Sequence, residues 1–103
     1  MENIFLNIVE PIHGEIVKER WNKENVRIET IYSKGQESPW MEQEESEWVL
    51  LIQGNAVIEY EDHCVNLRAG DVLEILPGQR HRVKETSVDP ICIWLCVFYS
   101  KGD

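Results

Sequence analysis

From residue 26 onward, apolar positions recur with the period of strands. Val26-Arg27-Ile28-Glu29 alternates apolar and polar side chains, the pattern of a half-buried strand continuing to Tyr32. Residues 47–52 form a mostly apolar run, Glu47-Trp48-Val49-Leu50-Leu51-Ile52, which predicts a strand buried on both faces. Gln53-Gly54-Asn55 supplies hairpin chemistry, and residues 56–60 return as the partner strand. Further turns at Glu61-Asp62-His63, Arg68-Ala69-Gly70-Asp71 and Pro77-Gly78 separate short strands over residues 64–67, 72–76 and 81–84. Residues 91–99 close the series with an almost unbroken apolar run. Strands this short, with a turn every ~8–12 residues, predict an all-β antiparallel barrel or sandwich.

The first 25 residues read differently. Val17 and Trp21, with Ile16 beside them, stand at helical spacing between Gly14 and Asn25. A helix of about two or three turns is expected there, packed as a lid or prop outside the barrel. The division is therefore 1–25, an N-terminal helical segment, and 26–103, a β-barrel domain.

Composition narrows the partners. A chain of 103 residues with 43% hydrophobic and 28% charged residues is one ordinary globular domain. Its formal charge of −9 opposes nucleic-acid binding and docking on anionic membranes, both of which need clustered Lys and Arg. No apolar stretch of about 20 residues predicts a membrane span, and Met1-Glu2-Asn3-Ile4-Phe5 lacks the basic start of a secretory signal. Cys64, Cys92 and Cys96 form no Cys-x-x-Cys pair. Cys92 and Cys96 on one strand would lie ~13 Å apart, beyond disulfide reach. Reduced thiols and a cytoplasmic location are expected.

Two spaced patterns carry candidate chemistry. Gly35, Glu47 and Gly54 fit a frame of Gly, five residues, His-x-His, three or four residues, Glu, six residues, Gly. Gly70, Gly78 and His81 fit Gly, five residues, Pro-x-Gly, two residues, His, with Leu76 at the proline position and Pro77 one place later. On these motifs residues 26–99 resemble the cupin superfamily. The resemblance implies an antiparallel jelly-roll β-barrel with a ligand or metal site inside.

Both histidines of the first motif are missing. One register puts Met41 and Gln43 at their positions, the other Trp40 and Glu42. In histidine-rich cupins three imidazoles and a carboxylate hold a divalent metal. Here the resemblance leaves Glu47 and His81 as metal candidates, with Gln43 or Glu42 nearby. An imidazole with oxygen donors can bind a divalent ion, but loss of two nitrogens weakens the site. The cofactor is accordingly one divalent metal of unspecified identity, or none.

The last strand adds pocket character. Cys92, Trp94, Cys96 and Phe98 share one face, and Trp94 and Phe98, with Met41, are the candidate ligand-pocket residues. Core filling is the competing role for them. Cys96 reads as a small buried hydrophobe, Glu74 as part of a solvated face, and His13 and His63 as residues without a site role.

Three functions follow: a cupin binding a small molecule or a weakly held metal, a metal-dependent enzyme of dioxygenase, isomerase or lyase type, or a structural module with a decayed site. The first is favoured, because Glu47 and His81 are retained while the other imidazoles are not. Apolar residues on both faces of the last strand, with four tryptophans, predict a homodimer.

Overall fold

The computed structural model describes residues 1–100. The end of the expected 26–103 domain, residues 101–103, lies outside them. Eight strands follow in order: β1 (Ile16–Lys23), β2 (Val26–Ser33), β3 (Ser46–Gln53), β4 (Asn55–Tyr60), β5 (Cys64–Arg68), β6 (Val72–Ile75), β7 (His81–Thr86) and β8 (Cys92–Tyr99). They form a five-stranded sheet in the order β1-β2-β8-β3-β6 and a three-stranded sheet in the order β5-β4-β7. All pairings are antiparallel, as the alternation and turn spacing predict, and the two sheets make the jelly-roll barrel that the resemblance implies. No helix among the described residues is long and apolar enough to cross a membrane.

The expected N-terminal helix is corrected. Residues 16–23 are strand β1, paired with β2 from Ile16 opposite Tyr32 to Lys23 opposite Val26. A helix this short is marginal alone, whereas pairing with β2 satisfies its backbone groups in a sheet already fixed by β8. A register shift between Glu19 and Trp21 interrupts the pairing, and the four-residue spacing of Val17 and Trp21 is one that a helix face and a strand face share.

Residues ahead of β1 do pack outside the barrel, as an irregular arm. The Tyr32 hydroxyl donates to the Ile4 carbonyl (2.8 Å), and the Gln36 amide donates to the Pro11 carbonyl (2.6 Å). Beneath the arm Arg20 donates from Nε to Thr30 Oγ1 (2.8 Å) and from Nη2 to the Tyr32 hydroxyl (3.0 Å). Thr30 and Tyr32 are thus buried on the outer face of the large sheet.

The main core lies between the sheets, built on Val49, Leu51, Ile58, Leu67, Ile75 and Trp94. At the β3–β4 turn Gly54 has φ +93°, and a Cβ there would stand 2.7 Å from Ser87 Oγ and 3.0 Å from Cys92 Cα. Turn conformation and close approach to β8 both require glycine at this motif position.

Candidate functional site

Between the sheets a cavity of about 200 Å³ opens at one end of the barrel. It is smaller than the ~300–1,000 Å³ pockets that hold drug-sized ligands. β3 carries Glu47 into it, because Glu47, Val49 and Leu51 alternate on the inward, buried face. β7 contributes its first residue, His81, opposite Tyr60 of β4.

One reciprocal backbone pair sets the register of the loop before β3. Met41 N–H donates to the His81 carbonyl (2.7 Å), and His81 N–H donates to the Met41 carbonyl (3.0 Å). This bridge turns Met41 and Gln43 toward the cavity, which both line. Glu42 is exposed and does not line the cavity; it borders a surface depression with Gln43, Glu44, Pro77 and Gly78. The register with Trp40 and Glu42 facing inward is therefore not the one adopted. Trp40 lies at the surface beneath the guanidinium groups of Arg80 and Arg82.

Gln43 and Glu47 meet directly: the Gln43 amide donates to Glu47 Oε1 at 3.0 Å. Glu47 is 8% exposed and His81 2%. His81 Nδ1 lies 2.9 Å from the Gln79 carbonyl, an acceptor only, so Nδ1 carries the donated proton. Trp94 and Phe98 line the same cavity from β8. Trp94 Nε1 is anchored to Ser33 Oγ at 3.2 Å, leaving its ring as apolar wall.

Two lining residues escaped the sequence pattern, Glu15 and Glu29. Glu29 stands in an alternating stretch whose outward residue Thr30 is itself buried beneath the arm, so alternation alone does not show which face looks inward. Its place becomes visible only through its pairing opposite Cys96 of β8. Glu15 lies in the segment that reads as helix, and nothing local marks it as a rim residue.

The cavity is acidic. Glu15, Glu29 and Glu47 line it, and its lining holds no lysine or arginine. Arg27 pairs with Glu29 (3.1 Å) and Glu45 (2.9 Å) while stacking over Phe98. Among the described residues Glu15 and Glu47 have no cationic partner. Lost hydration and repulsion from Glu29 raise the Glu15 carboxyl above its ordinary value. Burial, then the negative charge of Glu47, pushes the Tyr60 hydroxyl up. Burial also holds the Cys96 thiol well above its ordinary value, with Glu47, Glu29 and Glu15 adding to the shift.

These donors do not fit a tightly held transition metal. Among the described residues no group of three or more His, Cys, Asp or Glu is placed to hold an ion. One imidazole faces the cavity, and one Glu47 oxygen accepts the Gln43 amide. Glu74 lies outside on β6, exposed and hydrogen-bonded by the Tyr99 hydroxyl. His63 sits in the β4–β5 turn, stacked on Tyr60.

Comparison with known proteins agrees with this architecture. The Cupin domain family model matches residues 28–98. A structure from Ralstonia eutropha JMP134, named as a candidate mannose-6-phosphate isomerase, is 31% identical, covers 98% of each chain and has a TM-score of 0.91. An RmlC-like cupin from Desulfovibrio desulfuricans is 17% identical over 95% of this chain and 94% of its own, with a TM-score of 0.78. Another, from Shewanella frigidimarina, is 16% identical over 99% and 91%, also with a TM-score of 0.78. The latter two bear on fold alone. No curated protein matches this chain.

Proposed function

This chain belongs to the Cupin domain family, and from that premise we propose that it binds a small organic molecule inside its barrel. The reading rests on the convergence of Gln43, Glu47 and His81 in a cavity otherwise walled by apolar residues such as Trp94 and Phe98. Polar groups fix a guest's orientation there, and the apolar walls supply contact area.

The name of the 31%-identical relative favours a second, catalytic reading, isomerisation of a sugar phosphate. Glu47 and His81 are both proton carriers, as movement of a proton between adjacent carbons requires. A phosphate, however, needs cationic or clustered N–H donors, and the lining offers carboxylates without lysine or arginine. Binding of a non-phosphorylated guest is therefore preferred.

The test is native mass spectrometry of untagged purified protein, with elemental analysis alongside. The expected result is a stoichiometric adduct released on denaturation and absent from Glu47→Ala and His81→Ala. Stoichiometric metal lost in both variants would contradict the reading, as would turnover of mannose 6-phosphate. A chain with no adduct and no affinity for small molecules would favour the structural role.

For assembly we propose a homodimer through the β1 edge. Val17 is 48% and Trp21 52% exposed on an edge strand whose outer backbone groups are free to pair. Light scattering should return twice the mass of one chain, and Trp21→Glu should return the monomer.

A further inference from the structure

We propose that the barrel guest is a small organic ammonium, an amine cation on an apolar body. This rests on the small-molecule reading above and names the chemistry of the guest.

The most buried polar group on the cavity wall has an open valence. His81 is 2% exposed, and its Nδ1–H is committed to the Gln79 carbonyl. In the neutral form of the ring the lone pair is then on Nε2. No described residue bonds Nε2, yet no fully enclosed side-chain nitrogen or oxygen is left without a partner. Nε2 accordingly opens on the cavity that His81 lines. It asks for a donor.

The neighbouring groups ask for the same thing. Gln43 uses one of its two amide N–H groups on Glu47, and its amide oxygen remains an acceptor. Glu47 is an acid buried to 8% exposure with no cationic partner among the described residues. Glu15 repeats the charge toward the rim, with Glu29 beside it paired to Arg27. The site thus presents acceptors and negative charge together, facing apolar walls that include Ile31, Ile58, Val83 and Trp94.

Each guest class meets this wall differently. An anion meets the carboxylates of Glu47 and Glu15, Glu29 being paired with Arg27, and finds no lysine or arginine in the lining. A neutral alcohol satisfies acceptors but leaves the buried charge uncompensated. A transition metal lacks a sufficient donor set among the described residues. An ammonium offers three N–H donors and a compensating charge, matching Nε2, the amide oxygen and the carboxylate. Burial first, and then the negative charge of Glu29, raises the Glu15 carboxyl at the rim.

The experiment uses full-length protein freed of co-purified molecules and kept in EDTA. Calorimetry and thermal shift compare butyl, cyclohexyl and phenethyl compounds bearing ammonium, hydroxyl or carboxylate. We expect at least one ammonium to bind about tenfold or more tightly than its alcohol twin, the worth of a charged over a neutral hydrogen bond. Its carboxylate twin should not bind. Glu47→Gln should abolish the preference for charge. Glu15→Gln and Glu29→Gln, nearer the rim, should each weaken ammonium binding by about two- to threefold, which keeps the test open if Glu47→Gln fails to fold. Alcohols or carboxylates binding as well as ammoniums would overturn the inference while leaving the small-molecule reading intact. Failure of every ammonium to bind would overturn it in the same way. In a separate EDTA-free arm, Mn²⁺ or Zn²⁺ binding that depends on Glu47 would overturn it in favour of a metal.

Discussion

The two faces of the large sheet both bury polar side chains, with opposite outcomes. On the outer face Arg20 donates to Thr30 and Tyr32, and Tyr32 donates to Ile4. Each group there has a partner, and together they strap the N-terminal arm to the sheet. On the inner side Gln43 and Glu47 answer one another, but His81 Nε2 and the Glu47 charge remain open to the cavity. A closed network is structural, whereas an open one invites a guest, because an unmatched buried polar group costs free energy that a ligand can recover.

If substitutions on the two faces act alike, this contrast fails. The largest effect is expected from Tyr32→Ala, which empties a buried site beneath the arm and removes the bond to Ile4. Denaturant unfolding should show a loss of about 3–5 kcal/mol, the scale of large aromatic truncations, with guest affinity in the folded protein unchanged. Arg20→Ala should cost about 1–3 kcal/mol through its bonds to Thr30 and Tyr32, its exposed Glu2 pair adding little. On the inner side Glu47→Gln should invert this pattern. Stability should stay within about 1 kcal/mol of the parent while affinity for the ammonium probes collapses.

Glu15 provides the smallest effect and a pH sign. Its carboxyl pKa is raised, so the folded chain holds that proton more tightly than the unfolded chain. The resulting stabilisation is fully present below the ordinary carboxyl value and is lost as pH rises through the raised one. Glu15→Gln should therefore raise Tm slightly at neutral pH and leave it unchanged in acid. An equal gain at both pH values would contradict the assigned cause.

Much of the barrel is legible in the chain because turn residues and alternation are local signals. Gly54, Gly70 and Pro77-Gly78 punctuate strands whose faces follow from a period of two. β1 is not legible in that way. Its Val17 and Trp21 spacing fits a helix until the irregularity between Glu19 and Trp21 and the pairing with β2 are known. For the site, the motif frame brings Glu47 and His81 to one cavity, but it leaves open whether residue 42 or 43 joins them. The Met41–His81 bridge makes that choice, and it joins residues 40 positions apart. Glu29 is hidden for a related reason: both faces of β2 are buried, one by the barrel and one by the arm, so hydrophobic pattern cannot assign its direction.

The open valence of His81 carries the functional reading, and long-range ¹H–¹⁵N NMR of the imidazole reads it directly. With three histidines in the chain, each ring can be assigned by substitution. In the guest-free protein the neutral His81 ring should show a protonated Nδ1 and an unprotonated Nε2, and adding an ammonium that binds should shift Nε2 far more than Nδ1. A ring protonated on Nε2 alone, or an Nε2 signal indifferent to a guest that binds, would contradict it.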